Sequence, residues 1–299
     1  MNMDFEYIKC NLCGNNDYTI LYDNMGIPCI NGFKASGNEI SKDRIVKCNI
    51  CGLIYVNPRL KEDIILLSYS NGKDEKFVSQ NKWREMTFKK SMKLINKYAK
   101  KGRLLDIGTA GGAFLHVAKK DGWNVYGIEP NKWLCDWGLK HYGIKINPGT
   151  LFDYKYPDNY FDLITLWDVL EHVGNPIKML KECHRILKKD GILLINYPDI
   201  GSGIAKIMGK KWVFLLSVHL FYFTKDSIRQ MLEKSGYEII KIKPHIQTLS
   251  LGYLAERMEP YNKSISKFLI KFVKGIRIDN FEIPYWLGQS LVLARKVDK

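Results

Sequence analysis

Three groups of residues in this 299-residue chain have types and spacings suited to chemistry. Cys10-x-x-Cys13-Gly14 and Cys48-x-x-Cys51-Gly52 are thiolate pairs, each followed by a glycine. A C-x-x-C turn sets two sulfurs on one side, and two such turns complete a tetrahedral Zn²⁺ site. A redox or disulfide pair would leave the repetition of the motif unexplained. With Cys10, Cys13, Cys48 and Cys51 filling all four positions, the ion would be structural, with no place for a catalytic water. The second group is Asp106-x-Gly108-x-Ala110-x-Gly112, with Glu129 further on. The third comprises His172, in Trp167-Asp168-Val169-Leu170-Glu171-His172-Val173, and His219, in His219-Leu220-Phe221-Tyr222-Phe223-Thr224. Imidazole exchanges protons near neutral pH, so either can serve as a general base.

The elements that must position the second group are a strand, a glycine turn, a helix and a strand. Leu104, Leu105 and Ile107 form a short apolar run suited to a parallel strand covered on both faces. Phe114, Leu115 and Ala118 follow at helical spacing, and Trp123 to Ile128 is the next strand, with Glu129 at its carboxyl end. A carboxylate there can grip ribose hydroxyls. A dinucleotide fingerprint is absent, because positions 108, 110 and 113 are Gly, Ala and Ala. Asp106 before the turn would repel a pyrophosphate and attract an ammonium group. A ligand with a ribose, no phosphate and a cationic amino-acid tail fits, and S-adenosylmethionine is that ligand. The stretch resembles the cofactor motif of Rossmann-like (class I) S-adenosylmethionine-dependent methyltransferases, although that family usually has glycine where this chain has Ala110.

The resemblance extends over the whole chain. LWDVLEHVGNP, residues 166–176, and the string Trp212…His219-Leu220-x-Tyr222-Phe223-Thr224 are similar to a branch acting on sugars and small molecules. It implies that Leu151 and Phe152 hold the adenine ring and that Trp167 and Asp168 border the cofactor. The second string, in that branch, lines the acceptor pocket, so the resemblance implies His219, with Tyr222 beside it, as the favoured base, and His172 as a residue that orients the acceptor or braces its turn. The implied fold is α/β: a doubly wound seven-stranded sheet whose antiparallel last strand (residues 290–294) inserts between the fifth and sixth, plus a small N-terminal zinc ribbon. The expected division is ribbon 1–58, helical lid 59–101, and methyltransferase domain 102–299 with an acceptor-binding insertion around 200–224. Further strands are expected at 144–146, 160–167, 191–197 and 237–243. Helices are expected at 60–69, 83–98, 132–141, 176–187 and 225–234, the fourth closed by Lys188, Lys189, Asp190 and Gly191. Residues 71–74 read as a loop, and Cys29, Cys135 and Cys183 as buried thiols.

A hydrophobic content of 46% supports a substantial core and excludes a disordered chain. The net charge of +15 is uneven: residues 102–200 are neutral, while 61–101 carry +6 and 201–299 carry +9. A basic rim around a neutral core would draw in an acidic acceptor. Residues 263–277, KSISKFLIKFVKGIR, place lysines on one helical face and apolar residues on the other. Packing of that apolar face on the domain is the expectation, with peripheral contact to an anionic membrane as the alternative. The N-terminus lacks a signal-like apolar stretch and no apolar run reaches spanning length, so a cytoplasmic protein is expected.

The function read from these residues is methyl transfer to a sugar hydroxyl or carbon of a nucleotide- or lipid-linked glycan. The sugar acceptor rests on the resemblance alone. Adenine-N6 and glutamine methylation are excluded by the lack of N/D-P-P-Y after residues 160–167, and cytosine-C5 methylation by the lack of a nucleophilic cysteine there. The alternatives are an RNA base methyltransferase that recognises RNA through the ribbon, and a noncatalytic cofactor-binding adaptor.

Overall fold

The structure, a computed structural model, describes residues 4–23, 43–70, 72–259 and 262–297. Cys29 and Asn71, named above, lie outside the described residues. The N-terminal part holds strands β1 (Phe5–Glu6), β2 (Tyr18–Asp23), β3 (Arg44–Cys48), β4 (Ile54–Val56) and β5 (Arg59–Leu60). Helices α1 (Glu62–Ser70), α2 (Glu75–Ser79) and α3 (Asn81–Ile95) follow. Then come β6 (Arg103–Ile107), α4 (Ala113–Lys120), β7 (Asn124–Glu129), α5 (Lys132–Tyr142), β8 (Asn147–Pro148), β9 (Phe161–Trp167), α6 (Pro176–Ile186) and β10 (Leu187–Pro198). The C-terminal part has α7 (Gly203–Met208), β11 (Phe221–Tyr222), α8 (Lys225–Lys234), β12 (Tyr237–Pro244), β13 (Gln247–Ser250), α9 (Leu251–Glu256), α10 (Lys263–Gly275), β14 (Glu282–Tyr285) and β15 (Gln289–Lys296).

The main sheet has seven strands in the order β12-β15-β10-β9-β6-β7-β8, and β15 runs antiparallel between β10 and β12. This is the expected Rossmann-like methyltransferase sheet. Leu104, Leu105, Leu163, Ile164, Leu193 and Leu194 are fully buried in adjacent central strands, as residues covered by helices on both faces must be. Two local expectations fail. Ile144 and Ile146 are buried core residues preceding the third strand, which is only Asn147–Pro148. Lys188 to Gly191 do not terminate a helix: α6 ends at Ile186, Leu187 already pairs with Phe161, and the ladder bulges before resuming at Ile192. Asp190 takes the left-handed conformation in that bulge.

The cysteine-bearing strands are continuous with the rest of the protein. β4 pairs with β11, giving a four-stranded sheet ordered β11-β4-β3-β2, so a strand from the expected acceptor insertion closes the ribbon's sheet. Cys10, Leu12, Leu53 and Tyr55 share one buried cluster with Leu180, Phe221, Phe223 and Met231. Asn11 Oδ1 accepts from the Ile177 amide in the first turn of α6, and Arg59 donates to the Gly174 carbonyl.

A third unit, of which only the helix at 263–277 was foreseen from sequence, is the two-stranded sheet β13–β14 with α9 and α10 between its strands. It packs on α3: the Thr248 amide donates to Thr87 Oγ1, and Ser250 Oγ donates to Gln80 Oε1. The expectation that α10 buries its apolar face is not met. Ser266 and Val273 are its buried residues, while Phe268 and Phe272 are 67% and 52% exposed. No helix among the described residues is long and apolar enough to cross a membrane.

Candidate functional site

A cavity of roughly 430 Å³ opens at the carboxyl ends of β6, β7, β9 and β10, where open α/β sheets bind ligands. Its floor is the glycine turn. Gly108 and Thr109 both donate to the Ile128 carbonyl, which folds the turn back onto β7. Gly108 is left-handed, and a Cβ there would lie 2.6 Å from Val169 Cγ2, so only glycine fits. Ala110 is also left-handed, at φ 49°, a conformation that strains any residue with a Cβ. Its amide donates to Glu129 Oε2 at 2.8 Å, and Asn131 N donates to Glu129 Oε1 at 2.9 Å. The Glu129 carboxylate therefore fixes the turn as well as facing the cavity. Gly112 does not line the cavity; it caps α4 where a side chain would press on Ile146.

Asp106 ends β6 fully buried. Thr165 Oγ1 donates to its Oδ1 at 2.6 Å, while Oδ2 has no hydrogen-bond partner. Burial pushes both Asp106 and Glu129 up to about 7. A buried carboxylate oxygen facing a cavity without a donor is a place for a cation. Leu151 and Phe152, on a turn of 3₁₀ helix, line another wall, and Lys178 stands 4.5 Å from the Phe152 ring. Trp167 packs against Phe88 and Phe114, and Asp168 accepts from Asn196 Nδ2. Burial lifts Asp168 to about 6 despite the opposing fields of Arg84 and Arg257. Tyr69 of α1 and Phe77 of α2 also line the cavity, and Asn131 Nδ2 donates to the Tyr69 and Gly72 carbonyls. These residues fit S-adenosylmethionine: an orphaned carboxylate oxygen for an ammonium group, a second acid beyond it, and a turn without room for side chains.

The inner end of the cavity is polar. Glu171, His172 and His219 all line it. Glu171 is 1% exposed, and neither carboxylate oxygen has a partner. His172 Nδ1 and His219 Nδ1 each lie 2.8 Å from a backbone carbonyl, of Val218 and Phe214 respectively. A carbonyl only accepts, so both Nδ1 atoms carry the proton and both Nε2 atoms keep a lone pair. Burial drives both imidazoles toward the neutral form, His172 to about 4. The two turns are tied together, because the Leu220 and Phe221 amides donate to the Glu171 carbonyl.

Tyr222 and Trp212 do not belong to this wall. Tyr222 is buried on β11 with Ile45, Ile54 and Trp212, and its hydroxyl donates to the Leu216 carbonyl. It braces the turn carrying His219 and lies away from any acceptor. Trp212 donates Nε1 to the Leu287 carbonyl. Residues missed from sequence complete the wall: Arg84, His245, Gln247, Arg257, Tyr285 and Gln289. His245 and Gln247 directly follow β12, at the carboxyl edge where ligands gather; that position was the available signal.

At the ribbon, the four cysteine sulfurs lie within 4.8 Å of one another. The nearest approaches cross between the knuckles, Cys10 to Cys51 at 3.4 Å and Cys13 to Cys48 at 3.5 Å. Four ligands on Zn–S bonds of about 2.3 Å stand ~3.8 Å apart, so the donor set fits a tetrahedral ion. Without one, burial raises Cys51 to about 11 and raises Cys10 further. Cys135 and Cys183 are buried thiols, as expected.

Comparison with known proteins agrees with this geometry. The methyltransferase domain family matches residues 82–242, just over half the chain. The chain belongs to that family. An uncharacterized protein of Methanocaldococcus jannaschii is 28% identical over 165 residues, 54% of this chain and 78% of that one. A ubiquinone biosynthesis O-methyltransferase of Actinobacillus pleuropneumoniae is 31% identical over 107 residues, covering 31% of this chain and 44% of its own. Among solved structures, an S-adenosylmethionine-dependent methyltransferase of Archaeoglobus fulgidus aligns with a TM-score of 0.52 at 19% identity, over 75% of this chain and 100% of the other. One from Thermotoga maritima gives 0.50 at 21%, over 74% and 94%. These two likenesses concern the fold. S-adenosylmethionine-dependent methyl transfer is the activity the family and its named relatives support.

Proposed function

We propose that this methyltransferase acts on a hydroxyl oxygen of a small acidic acceptor, a sugar of a nucleotide- or lipid-linked glycan, seated between the cofactor motif and the Glu171–His172–His219 cluster. The observation that carries the reading is that cluster: two imidazole nitrogens with free lone pairs and a buried carboxylate, at the inner end of the cofactor cavity. Bound S-adenosylmethionine would supply an electrophilic methyl group for in-line displacement. The chain's part is to align the acceptor, exclude water and activate its oxygen.

An acidic acceptor is favoured by Arg84 and Arg257. Both line the cavity, and neither forms a salt bridge with a described carboxylate. Arg84 Nε is buried without a hydrogen-bond partner. A carboxylate or phosphate would satisfy such groups with charge-assisted hydrogen bonds. A cavity roofed by α1–α3 and by the β13–β14 unit favours a small acceptor over duplex or structured RNA, which needs an open basic groove. The four ribbon cysteines, on this reading, hold a structural Zn²⁺.

The test is transfer of labelled methyl from S-adenosylmethionine into nucleotide sugars, lipid-extracted glycans and total RNA. The expected result is label in a sugar fraction, abolished by His219→Ala with cofactor binding intact. Arg257→Ala should then raise the acceptor KM roughly tenfold or more while changing kcat little. Label confined to RNA overturns the acceptor, and cofactor binding with no transfer to any fraction favours the adaptor role.

A further inference from the structure

We infer that Glu171, His172 and His219 form a second metal site, distinct from the ribbon, that holds one divalent cation facing the acceptor. The inference deepens the proposed function, since it names how that site activates its acceptor, and it rests on that reading only for the cation's use.

The argument is geometric. One ligand atom from each of the three residues lies within 4.8 Å of the others, and all three side chains line the cavity. The imidazole rings stand edge to face, with centroids 4.7 Å apart. Each ring is already anchored through Nδ1 to a backbone carbonyl. That is the support metal-bound histidines use: the outer nitrogen donates to a fixed acceptor, which sets the tautomer and aims the inner lone pair. The carboxylate of Glu171 is sealed from solvent, yet both its oxygens lack a donor, including from either imidazole. Three groups that can each offer an electron pair thus converge with no hydrogen bond between them. A proton relay would join them by hydrogen bonds; a cation with bonds of about 2.1 Å would be held by all three once the side chains close on it.

Two imidazoles and one carboxylate on one side leave the opposite coordination positions open. The donor set suits a first-row divalent ion better than Ca²⁺ or Mg²⁺, which prefer oxygen alone. Asp168, three residues before Glu171 and lining the same cavity, adds negative charge. Such a cation would withdraw electron density from an acceptor hydroxyl. The hydroxyl proton would leave to solvent, and the new C–O bond would form as the methyl carbon's bond to sulfur breaks, its electron pair staying on sulfur. His219 then acts as a ligand, and neither imidazole needs to serve as the base.

The experiment uses the full chain with its ribbon loaded with zinc, because Mn²⁺ does not displace Zn²⁺ from thiolates. Mn²⁺ binding is followed by the loss of the free-ion electron paramagnetic resonance signal, and added Zn²⁺ is tested as a competitor. One Mn²⁺ per chain, displaced by Zn²⁺ and weakened tenfold or more by both Glu171→Gln and His219→Asn, is the expected result. Binding of S-adenosylhomocysteine by both variants shows that they are folded. A wild-type chain that takes up neither ion beyond the ribbon zinc overturns the site, as does binding that both variants retain. Cation binding lost in the variants, with no methyl transfer to any acceptor, keeps the site and removes the methyl-transfer reading. Transfer unaffected by a chelator that leaves the ribbon loaded overturns the cation's use in the reaction and restores His219 as the base.

Discussion

Asp106 and Glu129 carry protons in the folded, cofactor-free chain to about pH 7, whereas in an unfolded chain such groups titrate near pH 4. Since the folded state binds these protons more tightly, the cofactor-free protein loses stability as pH rises from about 4 through 7. A ligand ammonium beside Asp106 reverses the preference, because it needs the ionised carboxylate. Affinity for S-adenosylmethionine should therefore rise roughly fivefold between pH 6 and 7.5, the gain at the upper end being trimmed as the ligand's own amino group begins to lose its proton. Calorimetric titration across that window checks it, with Asp106→Asn expected to bind more weakly and to lose most of the slope. At this scale the glycine turn and its two acids were readable in sequence, because Asp106, Gly108, Ala110 and Glu129 are placed by backbone geometry at fixed spacing. Tyr222 was misplaced because the string around His219 does not reveal which of its residues turn inward. Burial against Ile45 and Ile54, over 160 residues earlier, decides that.

At the scale of elements, much of the alternation of strands and helices from 103 to 244 follows from local periodicity, and so does the strand near the C-terminus, whose antiparallel insertion was implied by the family resemblance. The β13–β14 unit left no such trace. Its strands pair Gln247 with Tyr285 and Ser250 with Glu282 across two intervening helices, and neither strand carries a run of apolar residues. The same unit leaves the apolar face of α10 uncovered. Ile265, Phe268, Phe272 and Ile276 are exposed on a helix whose lysines at 263, 267, 271 and 274 flank that face. Insertion of Phe268 and Phe272 into an acyl boundary would contribute about 1.5–3 kcal/mol each. The protein should sediment with vesicles containing anionic phospholipid more than with zwitterionic ones, and Phe268→Ser with Phe272→Ser should lower that binding tenfold or more. A wild-type chain that stays in the supernatant with both vesicle types would dismiss membrane contact. Since Arg257 and Tyr253 project from α9 and its end into the cavity, such contact would hold the acceptor wall at the lipid surface.

Across the whole molecule, the two halves of the site are supported from different places. The glycine-turn half stands on the central strands β6, β7 and β9, while the His219 half leans on the ribbon. The turn bearing His219 runs directly into β11, and β11 is held at Phe221↔Tyr55 and Tyr222↔Ile54 by the strand that follows Cys48 and Cys51. This dependence makes the thiolates a fuse. Peroxide converts thiolates to sulfenic acids and disulfides, which no longer bind metal, and early steps of that ladder are reversible by thiols. Mild oxidation should leave a protein that still binds S-adenosylmethionine through Asp106 and Glu129 yet transfers no methyl group, and reductant with zinc should restore it. Loss of both properties together would mean that ribbon and sheet fail as one unit. If they separate, methyl transfer is subject to the oxidative state of the cell through a strand with no part in the chemistry.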